Sequence, residues 1–187
     1  MAVTFTPSGT ATAGGVQQSY ALELTALLEG QLSDIRDNTI STFINETGAV
    51  IPFGNIVTWS SGGTVANSAK TISGTSETVV GANVLTYVDE TAEDANSRPG
   101  VKAAQAMNVM NEGAVAMYVH GSVTPATAVR VIHTATGVQY AGQLRSAALS
   151  GKTAVLSNAR YLTSVTGSGL AIVELNGPSF TLTADNS

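Results

Sequence analysis

Apolar and polar positions along this chain of 187 residues form short runs, each closed by turn-forming residues. In the first clear run, Ile40 to Ile44, isoleucine and phenylalanine are interspersed with serine and threonine, as is typical of a half-buried strand. Asn45-Glu46-Thr47-Gly48 follows it and has the composition of a tight turn. Further strands are predicted at Ile51–Trp59, Val79–Val88 with a bulge at Gly81, Val109–Met110, Ala114–Val119, Val129–His133, Val138–Tyr140, Thr153–Leu156, Arg160–Val165 and Leu170–Leu175. Many short strands separated by turns predict an all-β fold, either a β-sandwich or a small β-barrel.

Two details of this pattern make specific predictions about packing and pairing. Phe53 and Trp59 lie six residues apart in one predicted strand, so both side chains point to the same face, which we expect to be buried. Asn111-Glu112-Gly113 separates two apolar runs and predicts the loop of a hairpin.

The segments between the runs are predicted from their composition. Gly62 to Thr78 and Asp89 to Gly100 are rich in small, polar or acidic residues and are expected to be solvent-facing loops. Lys102 to Met110 is the position for at most one short helix, since its alanines favour helix but glycines lie on either side. Tyr20 to Leu32 mixes strand and helix periodicity, and we favour a strand with a turn at Glu29-Gly30.

The first 18 residues are predicted to form a flexible arm, followed by a single β-rich domain over residues 19–187. Residues 1–18 are mostly threonine, alanine, glycine and serine, and they bury too little apolar surface to offset the entropy of ordering. Near the start, however, apolar and threonine side chains alternate, a pattern that can add a strand to an exposed sheet edge. The candidate residues for contact with another protein or a neighbouring protomer are Val3, Thr4, Phe5 and Thr6.

Composition narrows the class of protein. Charged residues make up 11% of the chain, against about 25% in an average soluble domain. A surface poor in long charged side chains loses less entropy and desolvation energy when another protein covers it, which favours an assembled particle and a homotrimer. A net charge of −5 with eight Lys and Arg residues offers no basic stripe for nucleic acid.

No stretch of the sequence predicts a membrane partner or secretion. The chain has no run of about 20 apolar residues that would span a bilayer. Met1 to Gly15 has neither the basic nor the apolar region of a signal peptide, so we expect synthesis in the cytoplasm. Cysteine is absent, which removes disulfides and thiolate ligands.

Candidate chemistry is sparse, and we expect no catalytic, cofactor-binding, small-molecule or metal-binding residues. Ser150-Gly151-Lys152-Thr153 is similar to the end of a phosphate-binding loop, but Ser146 stands where that motif needs glycine. His120 and His133 lack the spacing of metal ligands and are expected to be structural or exposed. The acidic cluster Asp89 to Asp94 is expected to be a solvated loop, with a weak calcium site as the alternative.

Several stretches resemble one known family. Gly30 to Arg36, Phe43 to Glu46 and Ala49 to Val57 look like the opening of the phage structural cement proteins, with its GQ-x-x-D and N-E…I-P-F-G segments. Met110 to Gly121 and Leu170 to Leu175 resemble later strands of that family. The likeness is in patches, and it does not extend to the first 18 residues, to Gly62–Thr78 or to Arg145–Thr153.

This resemblance implies a capsid decoration protein without enzymatic activity. Such a protein would bind the phage major capsid protein on the outer surface of the virion, as a homotrimer and without a cofactor. The alternative is a receptor-binding or adhesin-like module of a head fibre or tail, which would normally expose aromatic side chains; Trp59, the single tryptophan, is instead expected in the core. A hydrolase, the third possibility, would need His120, His133 or a carboxylate as its base.

Overall fold

The computed structural model describes residues 27–33, 37–60, 67–85 and 91–185. Within them lie fourteen β-strands and no helix, which confirms the all-β prediction and offers no helical membrane span. The strands are β1 (Thr39–Asn45), β2 (Ile51–Pro52), β3 (Ile56–Trp59), β4 (Ser68–Thr71), β5 (Val79–Asn83), β6 (Thr91–Glu93), β7 (Pro99–Val101), β8 (Ala106–His120), β9 (Arg130–Ile132), β10 (Leu144–Arg145), β11 (Thr153–Leu156), β12 (Ala159–Tyr161), β13 (Gly169–Asn176) and β14 (Leu182–Ala184).

Five strands close into a small barrel. Their hydrogen-bonded order is β1-β4-β3-β5-β8, and β1 also pairs antiparallel with β8, with Phe43 opposite Met107. A ring of this kind removes most free sheet edges. Of the two predicted architectures, the small barrel is therefore present, with additional strands beside it.

The 15-residue strand β8 joins the barrel to a second sheet. Its first half pairs with β1 and β5, and its second half pairs with β13 and β10. From β8 the second sheet continues through β10, β9, β11 and β14, while β13 carries β12 on its other side. The hairpin predicted at Asn111-Glu112-Gly113 is wrong, because Glu112 and Gly113 keep their sheet pairing with β1 and β13 and the strand runs straight through.

Two hydrophobic clusters hold the fold. All five barrel strands contribute to the smaller cluster, as expected when inward-facing side chains of a closed ring meet. It consists of Ile51, Phe53, Val57, Ala69, Val101, Met107 and Val109, with Phe43, Val80 and Leu85 packed against it. The larger cluster contains side chains of β3, β5 and β8 together with those of β9 to β13. It fills the space between the outside of the barrel and the second sheet.

The predicted strand from Ile51 to Trp59 is broken into two pieces. Gly54 has a φ of +73° and turns the chain between β2 and β3, and β2 joins β7 and β6 in a separate three-stranded sheet. Phe53 is buried as predicted, with 1% of its surface exposed, whereas Trp59 is 42% exposed. The prediction of a buried Trp59 is wrong because it is the last residue of β3 and extends beyond the packed part of the barrel.

Three of the segments between the predicted strands contain strands themselves. Gly62–Thr78 includes β4, and Asp89–Gly100 includes β6 and the first two residues of β7, so neither segment is only a loop. Lys102–Met110, the position considered for at most one short helix, contains a turn and the start of β8 instead. The bulge predicted at Gly81 is confirmed by a register shift between β3 and β5.

Two further predictions concern the regions around Val138 and Gly30. Val138–Tyr140, predicted as a strand, belongs to a turn. The turn at Glu29-Gly30 is present, and Gly30 has a φ of +77°. The predicted strand before it falls largely on residues 20–26, outside the described ranges, as does the whole arm of residues 1–18.

Candidate interaction surface

Each of the two histidines contacts a different neighbouring polar side chain. His120, at the end of β8, has its Nε2 atom 2.9 Å from Gln143 Oε1 and packs edge-on against Tyr118. His133, after β9, has Nδ1 3.0 Å from Thr134 Oγ1, and burial lowers its pKa. In the part of the chain that the structure describes, no three His, Cys, Asp or Glu side chains group as metal ligands.

The Ser150–Thr153 segment is a turn with its side chains already bonded. Lys152 Nζ donates to Thr136 Oγ1 at 2.5 Å, and Thr153 Oγ1 donates to Asp185 Oδ2 at 2.6 Å. These contacts tie the turn before β11 to its surroundings.

In the described part of the acidic cluster, Asp94 caps a turn and forms an ion pair with Arg98. Asp94 Oδ1 accepts the backbone N–H groups of Asn96 and Arg98, and Oδ2 accepts two bonds from the Arg98 guanidinium. Burial raises the pKa of Asp94, but these hydrogen bonds outweigh it and lower the pKa below its usual value. Glu93 is exposed, and Asp89 and Glu90 lie outside the described residues. Since both oxygens of Asp94 are engaged, the arrangement favours a capped turn over the calcium alternative.

Among the described residues, one side of β1 is paired only at its end, where β4 lies beside it. Ile44 N–H donates to a carbonyl on the β4 side and Asn45 N–H to one on the β8 side, both at 2.9 Å. Because alternate residues of a strand point their backbone groups to opposite sides, those of Ile40 and Thr42 face the β4 side. β4 begins only opposite Ile44, so no described residue pairs with this edge from Thr39 to Phe43.

Apolar and aromatic side chains lie close to this edge. Ile40 is 36% exposed on β1. The rings of Phe43 and Trp59 meet edge to face with their centroids 5.8 Å apart, which orients the exposed tryptophan. Backbone groups free to pair, next to exposed apolar side chains, are the features that bind an added strand.

The predicted contact residues Val3, Thr4, Phe5 and Thr6 lie outside the described residues, so their placement stays a prediction. Sequence reasoning located β1 but could not identify its free edge, because that depends on where β4 begins. It also missed the exposure of Trp59. The only signal for that was the glycine-rich stretch directly after the tryptophan.

Comparison with known proteins identifies a matching family and a solved structure with a similar fold. The model of the phage cement family, described as structural cement protein (E217 gp24/Pam3 gp6), matches residues 16–176. No curated protein matches the sequence. Among solved structures, a chain of "The capsid of Myoviridae Phage XM1" is similar with a TM-score of 0.59 and 16% identity, covering 89% of this chain and 98% of that chain. At that identity the likeness concerns the fold.

Proposed function

This chain belongs to the phage structural cement protein family, whose model matches residues 16–176, and from that premise we propose that it binds the outer surface of an assembled phage capsid. There it holds neighbouring major capsid protein subunits together. It acts by binding alone, without catalysis or cofactor, and is made in the host cytoplasm before it joins the virion. The family match is the observation that carries this proposal.

The physical basis of such a role is preferential binding to the assembled state. A protein that binds the shell and not free subunits adds its binding free energy to the stability of the shell by mass action. Many copies on one lattice make modest individual affinities sufficient, because neighbouring contacts raise the effective concentration. A closed barrel joined to a second sheet suits this task, since a rigid scaffold loses little entropy on binding.

We further propose that residues 1–18 are an arm separate from the domain of residues 19–187. The arm adds Val3 to Thr6 as a strand to a capsid subunit or to the next copy in a homotrimer. The edge of β1 supports the second arrangement, since no described residue pairs with the backbone groups of Ile40 and Thr42 on the β4 side. In that arrangement three arms exchanged around a threefold axis would close a ring.

The direct test uses shells of the major capsid protein assembled without this chain. The purified chain should pellet with the shells to a saturating ratio, and the temperature at which the shells disassemble should rise with free chain concentration. Unassembled major capsid protein is the control and should show no comparable binding. A chain that stays in the supernatant, or shells that melt at an unchanged temperature when decorated, would contradict the proposal.

The exposure of Trp59 is the observation that favours the alternative, a receptor-binding or adhesin-like module. An exposed tryptophan oriented by Phe43 resembles the stacking platforms of ligand-binding surfaces. Binding of the fluorescently labelled chain to host cells, compared with binding of a Trp59→Ala variant, separates the two functions. Tight cell binding that depends on Trp59, without shell binding, would support the alternative.

A further inference from the structure

The turn from Thr136 to Gln139 presents the most exposed large apolar side chain of the described residues. Thr136 and Gln139 exchange two backbone hydrogen bonds of 2.9 and 3.0 Å. Gly137, at the first position between them, has a φ of +59°, a conformation that glycine adopts without strain. Val138 follows and is 75% exposed, so the turn places an isopropyl group in solvent at its tip.

Side chains from three directions hold this turn in place. Lys152 Nζ donates to Thr136 Oγ1 at 2.5 Å, and Arg145 Nη1 donates to Gln139 Oε1 at 2.7 Å. The next residue, Tyr140, donates its hydroxyl to Asn96 Oδ1 at 2.7 Å, and its ring lies 4.4 Å from the Arg98 guanidinium carbon. An exposed apolar group on a turn fixed in this way loses little conformational entropy when a partner covers it.

The two cations that hold the turn form no ion pair with any residue of the described ranges. The ion pairs found in the described ranges use Lys70, Arg98, Arg130 and Arg160. Arg145 and Lys152 instead donate to a neutral amide and a neutral hydroxyl. Two positive charges that no described carboxylate neutralises therefore flank Val138, on a chain whose net charge is −5.

We propose that this turn is a capsid-binding element that inserts Val138 into an apolar recess of the major capsid protein with carboxylates on its rim. Arg145 and Lys152 then pair with those carboxylates. The inference rests on the capsid-binding function proposed above and names a contact surface for it. An apolar anchor at the centre with charges around it is the arrangement that concentrates binding energy in interfaces.

The proposal commits to the major capsid protein as the partner, because the family match assigns this chain to the structural cement proteins. Charge alone does not separate this partner from a second copy of the chain: Glu77, Asp94, Glu174 and Asp185 are paired with cations of their own chain, whereas Glu93 is exposed. Contact between copies is therefore one of the outcomes of the test.

The test measures the affinity of full-length variants for shells assembled without this chain, at low and at raised salt. Val138→Ser should weaken binding about tenfold or more, from the loss of one buried apolar side chain. Arg145→Gln combined with Lys152→Gln should weaken binding and also reduce its dependence on salt, because rim charges act through screened electrostatics. Arg160→Gln, which removes a positive charge elsewhere, is the control and should bind as the original chain does. The melting temperature of each variant establishes that it is folded.

The outcomes distinguish this inference from the function on which it rests. Failure of the original chain to bind shells would overturn the proposed function and this inference together. Shell binding that survives Val138→Ser unchanged would overturn this inference alone. A Val138→Ser variant that binds shells normally but loses self-association would assign the turn to contacts between copies, which also contradicts the proposal.

Discussion

At the scale of single residues, the barrel depends on a few side chains that fill its end. Phe53 lies in the turn between β2 and β3 and belongs to the cluster to which all five barrel strands contribute. Gly30 crosses directly over it, since a Cβ on Gly30 would lie 2.8 Å from Phe53 Cβ. The Glu29-Gly30 turn therefore packs so closely on the Phe53-Gly54 corner that position 30 has no room for a side chain.

Truncation of Phe53 is expected to be strongly destabilising. Phe53→Ala should lower the free energy of unfolding by about 3 to 5 kcal/mol, because it removes buried area and leaves a cavity. Trp59→Ala is the matched comparison and should cost less than half as much, since the indole is already partly in solvent. Urea denaturation of both variants measures the difference. Equal losses would mean that the indole stabilises the fold as much as the buried phenyl ring does.

The ionisation of Glu77 is expected to make the free energy of unfolding fall in acid. It accepts hydrogen bonds from Lys70 Nζ at 2.5 Å and from the Ser73 N–H at 2.8 Å. Burial raises the pKa of Glu77, but these bonds outweigh it and lower the pKa to about 2. A carboxylate with a lowered pKa stabilises the folded state above its usual pKa of 4.5 and loses that contribution as pH falls toward 2.

The measurement compares the free energy of unfolding of the original chain and of Glu77→Gln from neutral pH down to about pH 3. The variant should be less stable near neutral pH, and the difference should shrink below about pH 5 as the original chain loses its ionic contact. A difference that stays constant over this range would show that the charge of Glu77 does not contribute.

At this scale the sequence predicted the burial of Phe53 but not the exposure of Trp59. The Pro52-Phe53-Gly54 corner is a local pattern, and its burial follows from residue types that need a turn beside a core. The exposure of Trp59 depends on where the barrel ends, which is a property of five strands. Glu77 was likewise not recognisable, because its partner Lys70 lies on β4, a strand that the sequence did not predict.

At the scale of elements, the free edge of β1 leads to a prediction about association between copies of the chain. In the described part of the chain, its backbone N–H groups at Ile40 and Thr42 make no bond across the β4 side. Proline lacks that N–H and is tolerated on edge strands, so it blocks strand addition without removing a bond within the sheet.

Thr42→Pro should therefore leave the melting temperature nearly unchanged and weaken trimer formation as much as deletion of residues 2–15 does. Thr42→Ala is the control: it loses the hydroxyl bond to Asn108, which measures 3.1 Å, but keeps the backbone donor. Analytical ultracentrifugation of the three variants gives the association constants. A trimer that survives Thr42→Pro but is lost on deletion would place the arm at another edge.

The elements that sequence patterns missed are the short ones. β4, β6 and β7 have three or four residues each and lie in segments rich in serine, threonine, glycine and acidic residues. Such strands form because a neighbouring strand supplies their hydrogen bonds, so their own periodicity carries little signal. The long strand β8 was instead predicted as two shorter strands joined by a loop. Gly113 resembled part of a turn, but it lies within the strand, with a φ of +130° and close to Asn38.

At the scale of the whole molecule, closure of the barrel is the step that no local pattern contains. It requires β1 and β8, whose paired residues Phe43 and Met107 lie far apart in the chain, to meet in one register. The sequence left sandwich and barrel as equal alternatives, because both place alternating strands around a core. The family resemblance, which depends on the order of several patches along the chain, identified the family but did not decide between sandwich and barrel.

The last prediction concerns assembly of the whole chain. A surface with few charges and a free strand edge leads us to expect a homotrimer, in which each arm pairs with the β1 edge of the next copy and the ring closes. Light scattering at micromolar concentration should return about three times the 19.0 kDa mass of one chain. Deletion of residues 2–15 should return a single-chain mass with a nearly unchanged melting temperature, because the arm contributes to association and not to the core.

A full-length chain that remains at 19.0 kDa at all concentrations would contradict trimer formation in solution. Shell binding would then be measured with single chains, whose saturating ratio on the lattice shows whether they meet there in threes.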